Sequence, residues 1–456
     1  MSPLAEVLLA RGYRISGSDV RQSPRTDALA AHGVRIRIGH DPAAVDGAAA
    51  VVYSTAIRDD NLELRAARER GLPILHRSAL LAELLVGQRP IAVAGTHGKT
   101  TTAGMIGLAL ARAGLDPTVI VGGEVRDWGS HHRVGRNDLF VLEACESDGS
   151  FLSYRGCNQV ITSLEPDHLD QHGTFERLRQ SFERFVGLGR PDGFLVYCSD
   201  SPLLCDLAQH APGKTVSYGV AEGADLLVGN LTTNLRSVSF DLHLPGGATR
   251  RIALSVPGAH NALNAAAAFA AATEAGAAAD AAAEGIAAFG GIGRRFEVLV
   301  EADDMTVVDD YAHHPTEIEA TLRTAREGWR GRVIAVFQPH LFTRTKHLMD
   351  GFARAFAGAD EVIITDIYAA REDPMPGVNA RQLAEAVATN EPSKPVRFLS
   401  TKPEIVDYLA KHLAPGDLVL TIGAGDIHEV GERLAGLLRE REATIATGIT
   451  ARRVPS

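Results

Sequence analysis

The sequence predicts an α/β protein of three domains, and three observations carry that reading. The chain has 456 residues, about three times the roughly 150 residues of an ordinary domain. Short β-branched runs alternate with helical stretches from end to end, the pattern of βαβ units and parallel sheets. Two breaks interrupt the alternation, Gly87-Gln88-Arg89-Pro90 and Gly290-Gly291-Ile292-Gly293, the second with three glycines in four residues that cannot continue a helix cheaply. The expected domains are therefore 1–88, 89–292 and 293–456.

In the first domain the strand candidates are Tyr13 to Ser16, Val34 to Ile38 and Ala50 to Ser54, with amphipathic helices between them. The second domain opens on the strand Ile91 to Ala94, which runs directly into Gly95-Thr96-His97-Gly98-Lys99-Thr100-Thr101 and a helix through Ala113. Phe140 to Leu142, Val160 to Ser163 and Phe194 to Tyr197 read as buried strands, and Leu226 to Val256 alternates like antiparallel strands turned at Pro245-Gly246-Gly247. Alanine-rich helices from Asn261 to Phe289 close the domain. In the third, strands are expected at Thr306 to Val308, Val333 to Phe337, Glu361 to Thr365, Val396 to Leu399 and Leu418 to Ile422, each followed by a helical pattern.

Composition narrows the function. Lys plus Arg number 46 against 56 Asp plus Glu, a net charge of −10, so the basic excess that nucleic acid binding needs is absent and nucleic acid is not an expected partner. No apolar segment follows Met1, and the most apolar stretch, Ala262 to Phe289, is broken by Glu274, Asp280 and Glu284. Neither a signal peptide nor a membrane span is expected. Cys145, Cys157, Cys198 and Cys205 contain no CxxC pair, which fits a reducing, cytoplasmic setting and a chain not stapled by disulfides. The expected state is a monomer or weak dimer.

Strand, glycine loop, Lys, Thr-Thr and helix in that order form a phosphate cradle. Backbone N–H groups and the helix N-terminus face the anion, Lys99 is the expected γ-phosphate contact, and Thr100 can reach Mg²⁺. Val93 stands where the longer GxxxxGK[ST] pattern has its first glycine, so the loop is a variant that starts at Gly95. Holding Mg²⁺ beside a γ-phosphate needs carboxylate or imidazole ligands. Two polar clusters at strand ends of the same domain offer them: Glu143-Ala144-Cys145-Glu146-Ser147-Asp148 and Glu165-Pro166-Asp167-His168-Leu169-Asp170.

With His260-Asn261-Ala262-Leu263-Asn264, Gly293-Arg294-Arg295-Phe296, Asp309-Asp310-Tyr311-Ala312-His313-His314-Pro315-Thr316-Glu317 and Gln338-Pro339-His340-Leu341-Phe342-Thr343-Arg344-Thr345, these motifs resemble the Mur ligase family of peptidoglycan synthesis over essentially the whole chain. The last two are similar to its alanine-adding branch. The resemblance implies a Rossmann-like first domain for the UDP-sugar, a central P-loop ATPase-like domain and a Rossmann-like C-terminal domain for the amino acid. It also implies the reaction: the carboxylate of UDP-N-acetylmuramate attacks the γ-phosphorus of ATP, and L-alanine's amine then attacks the acyl phosphate.

On the same resemblance Thr100, Glu143 and His168 hold Mg²⁺, and Gly95 to Thr101, His260, Asn261, Asn264, Arg295 and Asp310 bind ATP. Asp19 and Ser54 contact the UDP-sugar, while Tyr311, His313 and Arg344 line the amino-acid site. Lys99, His168, Arg295 and His313 are the expected catalytic set. Four departures stand out. Cys145 replaces the usual Asp, Leu341 stands where many members carry Arg, and no Lys occurs between Lys99 and Lys214 to serve as the carbamoylated ligand of sibling enzymes. The fourth is the start: the family opens with a strand and a glycine-rich loop ahead of the helix that here begins at about Leu4. A truncated first domain is expected, with strands flanking a gap and weakened UDP-sugar binding. Two alternatives remain, a ligase that recycles a whole tripeptide onto the same sugar nucleotide and a nucleotide-binding protein without turnover.

Overall fold

A computed structural model describes residues 1–302, 304–370 and 372–451. The last five residues of the expected third domain lie outside the described residues.

Helix Ser2–Ala10 opens the chain and buries Leu4, Val7 and Leu8 in one continuous core with Leu81, Leu84, Leu85 and the central domain. Four short strands follow: β1 (Ser16–Asp19), β2 (Arg35–Ile38), β3 (Val51–Tyr53) and β4 (Ile74–His76). They form two separate parallel pairs, β1 with β2 and β3 with β4. The strand expected at Tyr13 to Ser16 starts at Ser16 instead. Closing the helix takes up the intervening residues: Gly12 adopts φ +85° and Tyr13 N–H bonds back to the Leu8 carbonyl at 3.0 Å.

Ten strands build the central sheet: β5 (Arg89–Ala94), β6 (Thr118–Val125), β7 (Ser130–Arg133), β8 (Leu139–Glu143), β9 (Asn158–Ile161), β10 (Phe194–Cys198), β11 (Lys214–Gly219), β12 (Leu226–Thr233), β13 (Val238–His243) and β14 (Thr249–Leu254). Their order is β14-β13-β12-β11-β10-β9-β5-β8-β6-β7. The parallel centre is buried on both faces, hence the apolar runs Ile91 to Ala94 and Leu139 to Leu142. β12 to β14 are antiparallel, β13 alternating buried and half-buried residues, and Gly246 and Gly247 supply the positive φ of the turn. The alanine helices, Ala259–Glu274 and Ala279–Ala287, lie against helix Lys99–Arg112 at close range: a Cβ on Gly285 would fall 2.6 Å from the Ala109 Cα. Small residues here permit helix contact that larger ones would block.

The glycine break after these helices is pinned to the sheet. Arg126 N–H bonds to the Gly291 carbonyl and Gly293 N–H to the Glu124 carbonyl, with Val125 and Ile292 paired as an antiparallel bridge. Beyond it lie β15 (Glu297–Ala302), β16 (Met305–Asp310), β17 (Val333–Phe337), β18 (Glu361–Ile364), β19 (Val396–Phe398) and β20 (Leu418–Ile422), ordered β15-β16-β20-β17-β18-β19. β20 enters between β16 and β17, so the connections after those two strands leave from either side of it, the arrangement that opens a ligand crevice at the carboxyl edge of a sheet. No helix among the described residues is long and apolar enough to cross a membrane.

Candidate active site

The phosphate loop is shaped by two glycines that cannot be replaced. Gly95 follows β5 with φ +134°, where a Cβ would collide with the Thr162 hydroxyl. Gly98 caps helix Lys99–Arg112 with φ +80°, and its Cβ would lie 2.5 Å from Asn264 Oδ1. The Thr96 hydroxyl accepts from Glu165 N–H at 2.9 Å and the Ser163 hydroxyl from His97 N–H at 2.9 Å, so the loop is tied to the end of β9. Thr102 donates to Asn264 Oδ1 at 3.3 Å, Asn264 to Asn261 Oδ1 at 3.1 Å and Asn261 to the Pro257 carbonyl at 2.6 Å. Both amides thus hold the back of the loop, while His260 beside them is exposed.

Lys99 donates to the Thr96 carbonyl at 3.1 Å and to Glu146 Oε1 at 2.9 Å. Burial pulls its pKa down, but Glu146, Cys145 and Glu143 more than offset this and leave it above the usual lysine range. Thr100 donates to Glu143 Oε2 at 2.7 Å, and the same oxygen accepts Gly122 N–H at 2.8 Å. His168, in the left-handed region at φ 53°, sets its Nε2 3.8 Å from Glu146 Oε1 and 3.4 Å from Asp167 Oδ2. Burial lowers its pKa, favouring the neutral ring that binds metals. The other oxygen of Glu146 is buried without a partner. Hydroxyl, carboxylate and imidazole donors at one edge of the loop suit a divalent cation.

The third domain packs against the loop, Glu317 meeting His97 at 3.1 Å and Arg344 meeting Asp167 at 3.2 Å. Tyr311 and His313 follow β16, with the Arg295 guanidinium 5.2 Å from the Tyr311 ring centroid. His313 Nδ1 donates to the Tyr311 carbonyl at 3.0 Å, and burial drives its pKa down to about 4, so Nε2 is a neutral acceptor. Arg344, on helix Phe342–His347, reaches across to Asp167 at 3.2 Å, and both side chains are buried. Asp310 is buried, and its two oxygens accept Phe296 N–H and Ala312 N–H, each at 2.7 Å, bracing the segment after the glycine break. Arg294 is spent on Asp309 at 2.9 Å and the Gly423 carbonyl at 2.7 Å, leaving Arg295 as the arginine of this pair that faces the cleft.

Asp19 ends β1, where it is exposed and accepts Arg21 N–H at 3.3 Å. Ser54 follows β3 in the other two-stranded sheet, half-buried. Among the described residues no hydrogen bond joins either of them to the phosphate loop. The side chain of Asp170 lies outside the described residues. Four side chains were not singled out from sequence: Glu146, Asp167, Glu165 and Glu317. All lie inside quoted motifs, but nothing local says which charge each one meets.

His97 lies between two of them, with Glu317 Oε1 3.1 Å from Nδ1 and Glu165 Oε2 3.5 Å from Nε2. Burial would lower its pKa, yet these two carboxylates raise it to about 9. Arg295 is the cation nearby, while burial and the charge on His97 hold the pKa of His314 below the ordinary histidine value. A histidine whose folded pKa exceeds its unfolded value stabilises fully below about pH 6.5 and loses that contribution as pH rises through about 9, worth about 3 kcal/mol at most. The gap in Tm between wild type and His97→Gln is therefore expected to be widest near about pH 6 and to close by about pH 10. A gap that stays constant with pH would show that the contact is not ionic.

A strand, glycine loop and helix on a parallel sheet, candidate cation ligands beside them and an arginine-bearing second sheet packed against them are the parts of an enzyme that works on a nucleoside triphosphate. Comparison with known proteins narrows the class. Residues 1–89 match the Mur ligase family, catalytic domain; 93–272 the Mur ligase middle domain; and 294–425 the Mur ligase, glutamate ligase domain. The chain is 48% identical over 448 residues to UDP-N-acetylmuramate–L-alanine ligase of Kineococcus radiotolerans, covering 97% of this chain and 94% of that protein. It is 46% identical over 452 residues to the enzyme of the same name from Symbiobacterium thermophilum, covering 97% and 93%. Among solved structures, UDP-N-acetylmuramate-alanine ligase of Thermotoga maritima superposes with a TM-score of 0.80 at 26% identity, covering 97% of each chain. A murein peptide ligase of Psychrobacter arcticus gives 0.71 at 25%, covering 96% of each. The chain belongs to the Mur ligase family.

Proposed function

We propose that the protein is an ATP-dependent ligase that joins L-alanine to the carboxylate of UDP-N-acetylmuramate, working in the cytoplasm on a peptidoglycan precursor. The observation that carries this is the pairing of a built phosphate loop with the Tyr311-His313-Arg344 cluster across one cleft, in a chain close to half identical to ligases of that name. The three domains divide the substrates: 1–88 takes the UDP-sugar through Asp19 and Ser54, 89–292 takes ATP, and 293–456 takes the amino acid.

The chemistry asks for little beyond neutralised charge and positioning. The loop N–H groups, Lys99 and Arg295 hold the triphosphate, and the sugar carboxylate attacks its γ-phosphorus. Thr100, Glu143 and His168 would hold Mg²⁺, which supplies further neutralisation when bound. Arg344 clamps the L-alanine carboxylate, Tyr311 borders it, and neutral His313 is placed to accept a proton as the amine attacks the acyl phosphate. ADP leaves as the acyl phosphate forms, inorganic phosphate leaves as the amine displaces it, and an amide remains.

The test is phosphate release with ATP and UDP-N-acetylmuramate plus L-alanine, glycine, L-serine or a tripeptide in turn. L-Alanine is expected to be preferred, by about 1–3 kcal/mol over glycine, since one methyl group separates them. Preference for the tripeptide would move the chain to the recycling reaction, and no release with any acceptor would overturn the ligase reading. Glu143→Ala and His168→Ala are each expected to raise the Mg²⁺ concentration for half-maximal rate roughly tenfold or more. Titrations that overlay wild type would remove that residue from the ligand set.

A further inference from the structure

The phosphate loop meets the third domain at a second donor cluster that the ligase reaction leaves unused. His97 of the loop, Glu165 after β9 and His314 at the start of helix Pro315–Gly328 each present one ligating atom, and the three atoms all lie within 4.8 Å of one another. Two features set this apart from a chance meeting. His97 Nε2 is shut away from solvent and makes no well-formed hydrogen bond, its nearest acceptor being Glu165 Oε2 at 3.5 Å, while Nδ1 on the other edge of the ring is held by Glu317 at 3.1 Å. A carboxylate fixing one imidazole nitrogen while the other faces a donor set is how metal-ligating histidines are oriented. Glu165 is aimed in the same way, its Oε2 accepting the Thr316 hydroxyl at 2.7 Å. His314 is buried, and its ring contacts are long: 3.2 Å to the Pro166 carbonyl and 3.4 Å from Thr316 N–H. Either can be exchanged for a stronger bond.

We propose that His97, Glu165 and His314 bind a divalent transition ion of the zinc type, at a site distinct from the Thr100, Glu143 and His168 set, and that the ion staples the phosphate loop to the third domain. Two imidazoles and one carboxylate suit Zn²⁺ or Co²⁺, whereas Mg²⁺ favours sites dominated by oxygen donors, such as Thr100 and Glu143 with the single imidazole of His168. His97 gives its Nε2 lone pair to the ion, and any proton held there passes to solvent. Three protein ligands leave a fourth position for water or a phosphate oxygen. The residues come from both sides of the cleft, so binding couples to closure and does not depend on which acceptor the enzyme uses.

The test is binding of Zn²⁺ and Co²⁺ to the full chain in excess Mg²⁺. One equivalent of Co²⁺ is expected to give the strong visible absorption of a four-coordinate site without a thiolate charge-transfer band, displaced by Zn²⁺, and Zn²⁺ is expected to raise Tm. His314→Ala and Glu165→Gln should each weaken Zn²⁺ binding at least roughly tenfold, with circular dichroism showing that the fold is kept. His168→Ala should leave Zn²⁺ binding in place. Wild type that takes up less than one Zn²⁺, variants that bind it as tightly as wild type, or loss of binding in His168→Ala alone would each overturn the proposal, the last by placing the ion at the Mg²⁺ ligands.

Discussion

Lys99→Ala is expected to lower kcat by roughly 10²–10³ or more, because a preorganised charge on the transferring phosphoryl group is lost. The structure adds a second effect to this substitution. Glu146 is only 1% exposed, and Lys99 is the cation that meets its Oε1 at 2.9 Å. Removing the ammonium leaves that carboxylate buried and unpaired, which costs about 3–5 kcal/mol unless it takes up a proton. Lys99→Ala should therefore unfold at a lower temperature than wild type, whereas sequence alone predicts an intact fold with only the rate impaired. Lys99→Ala with Glu146→Gln should recover most of the stability and none of the rate, because the amide needs no counter-charge while the phosphoryl group still lacks its own. Retention of more than half the wild-type rate by a folded Lys99→Ala protein would remove Lys99 from the mechanism. A double variant no more stable than the single would show that Glu146 is not its counter-charge.

The contrast between Lys99 and Glu146 shows what the sequence could and could not convey. The loop was legible because its requirements are local: Gly95 and Gly98 take backbone angles that other residues resist, and Lys99 and Thr100 open the helix that follows. The parallel core was legible for a similar reason, since strands covered on both faces read as unbroken apolar runs. β6 was hidden by Gly122-Gly123, which reads as a break. In the fold these glycines make room: a Cβ on Gly122 would lie 2.7 Å from the Glu143 carboxylate and one on Gly123 2.5 Å from Ile292. The same pair that obscured the strand lets the candidate cation ligand and the glycine break approach it. β11 opens on polar, exposed Lys214 and Thr215, so its apolar run is too short to stand out. The charge partners were out of reach for another reason. Glu165 and Asp167 meet His97, Thr316 and Arg344 through the folded chain, and no local periodicity records contacts between residues so far apart in sequence.

Arg344→Ala is the second change expected to have a large effect, and the contact with Asp167 determines how it must be tested. Burial would raise the Asp167 pKa, but the Arg344 guanidinium holds it well below the ordinary carboxylate range. The pair is therefore ionic, buried and interdomain. Arg344 also donates to His340 Nδ1 at 3.2 Å, and its guanidinium fork has more N–H donors than these contacts use, so it can hold Asp167 and still take the carboxylate of L-alanine. Arg344→Ala is expected to reduce kcat/KM for L-alanine by about 10²-fold or more, and the Asp167 carboxylate left behind should cost about 3–5 kcal/mol of stability. A loss of rate alone cannot distinguish a substrate clamp from a domain tie. The double variant Arg344→Met with Asp167→Leu separates them: it removes both charges and keeps apolar volume at the interface, so stability should return toward wild type. A clamp predicts that L-alanine still saturates poorly in that protein, with KM raised and ATP binding unchanged. Recovery of both stability and the L-alanine KM would show that Arg344 serves only to neutralise Asp167 and that the amino-acid carboxylate is held elsewhere.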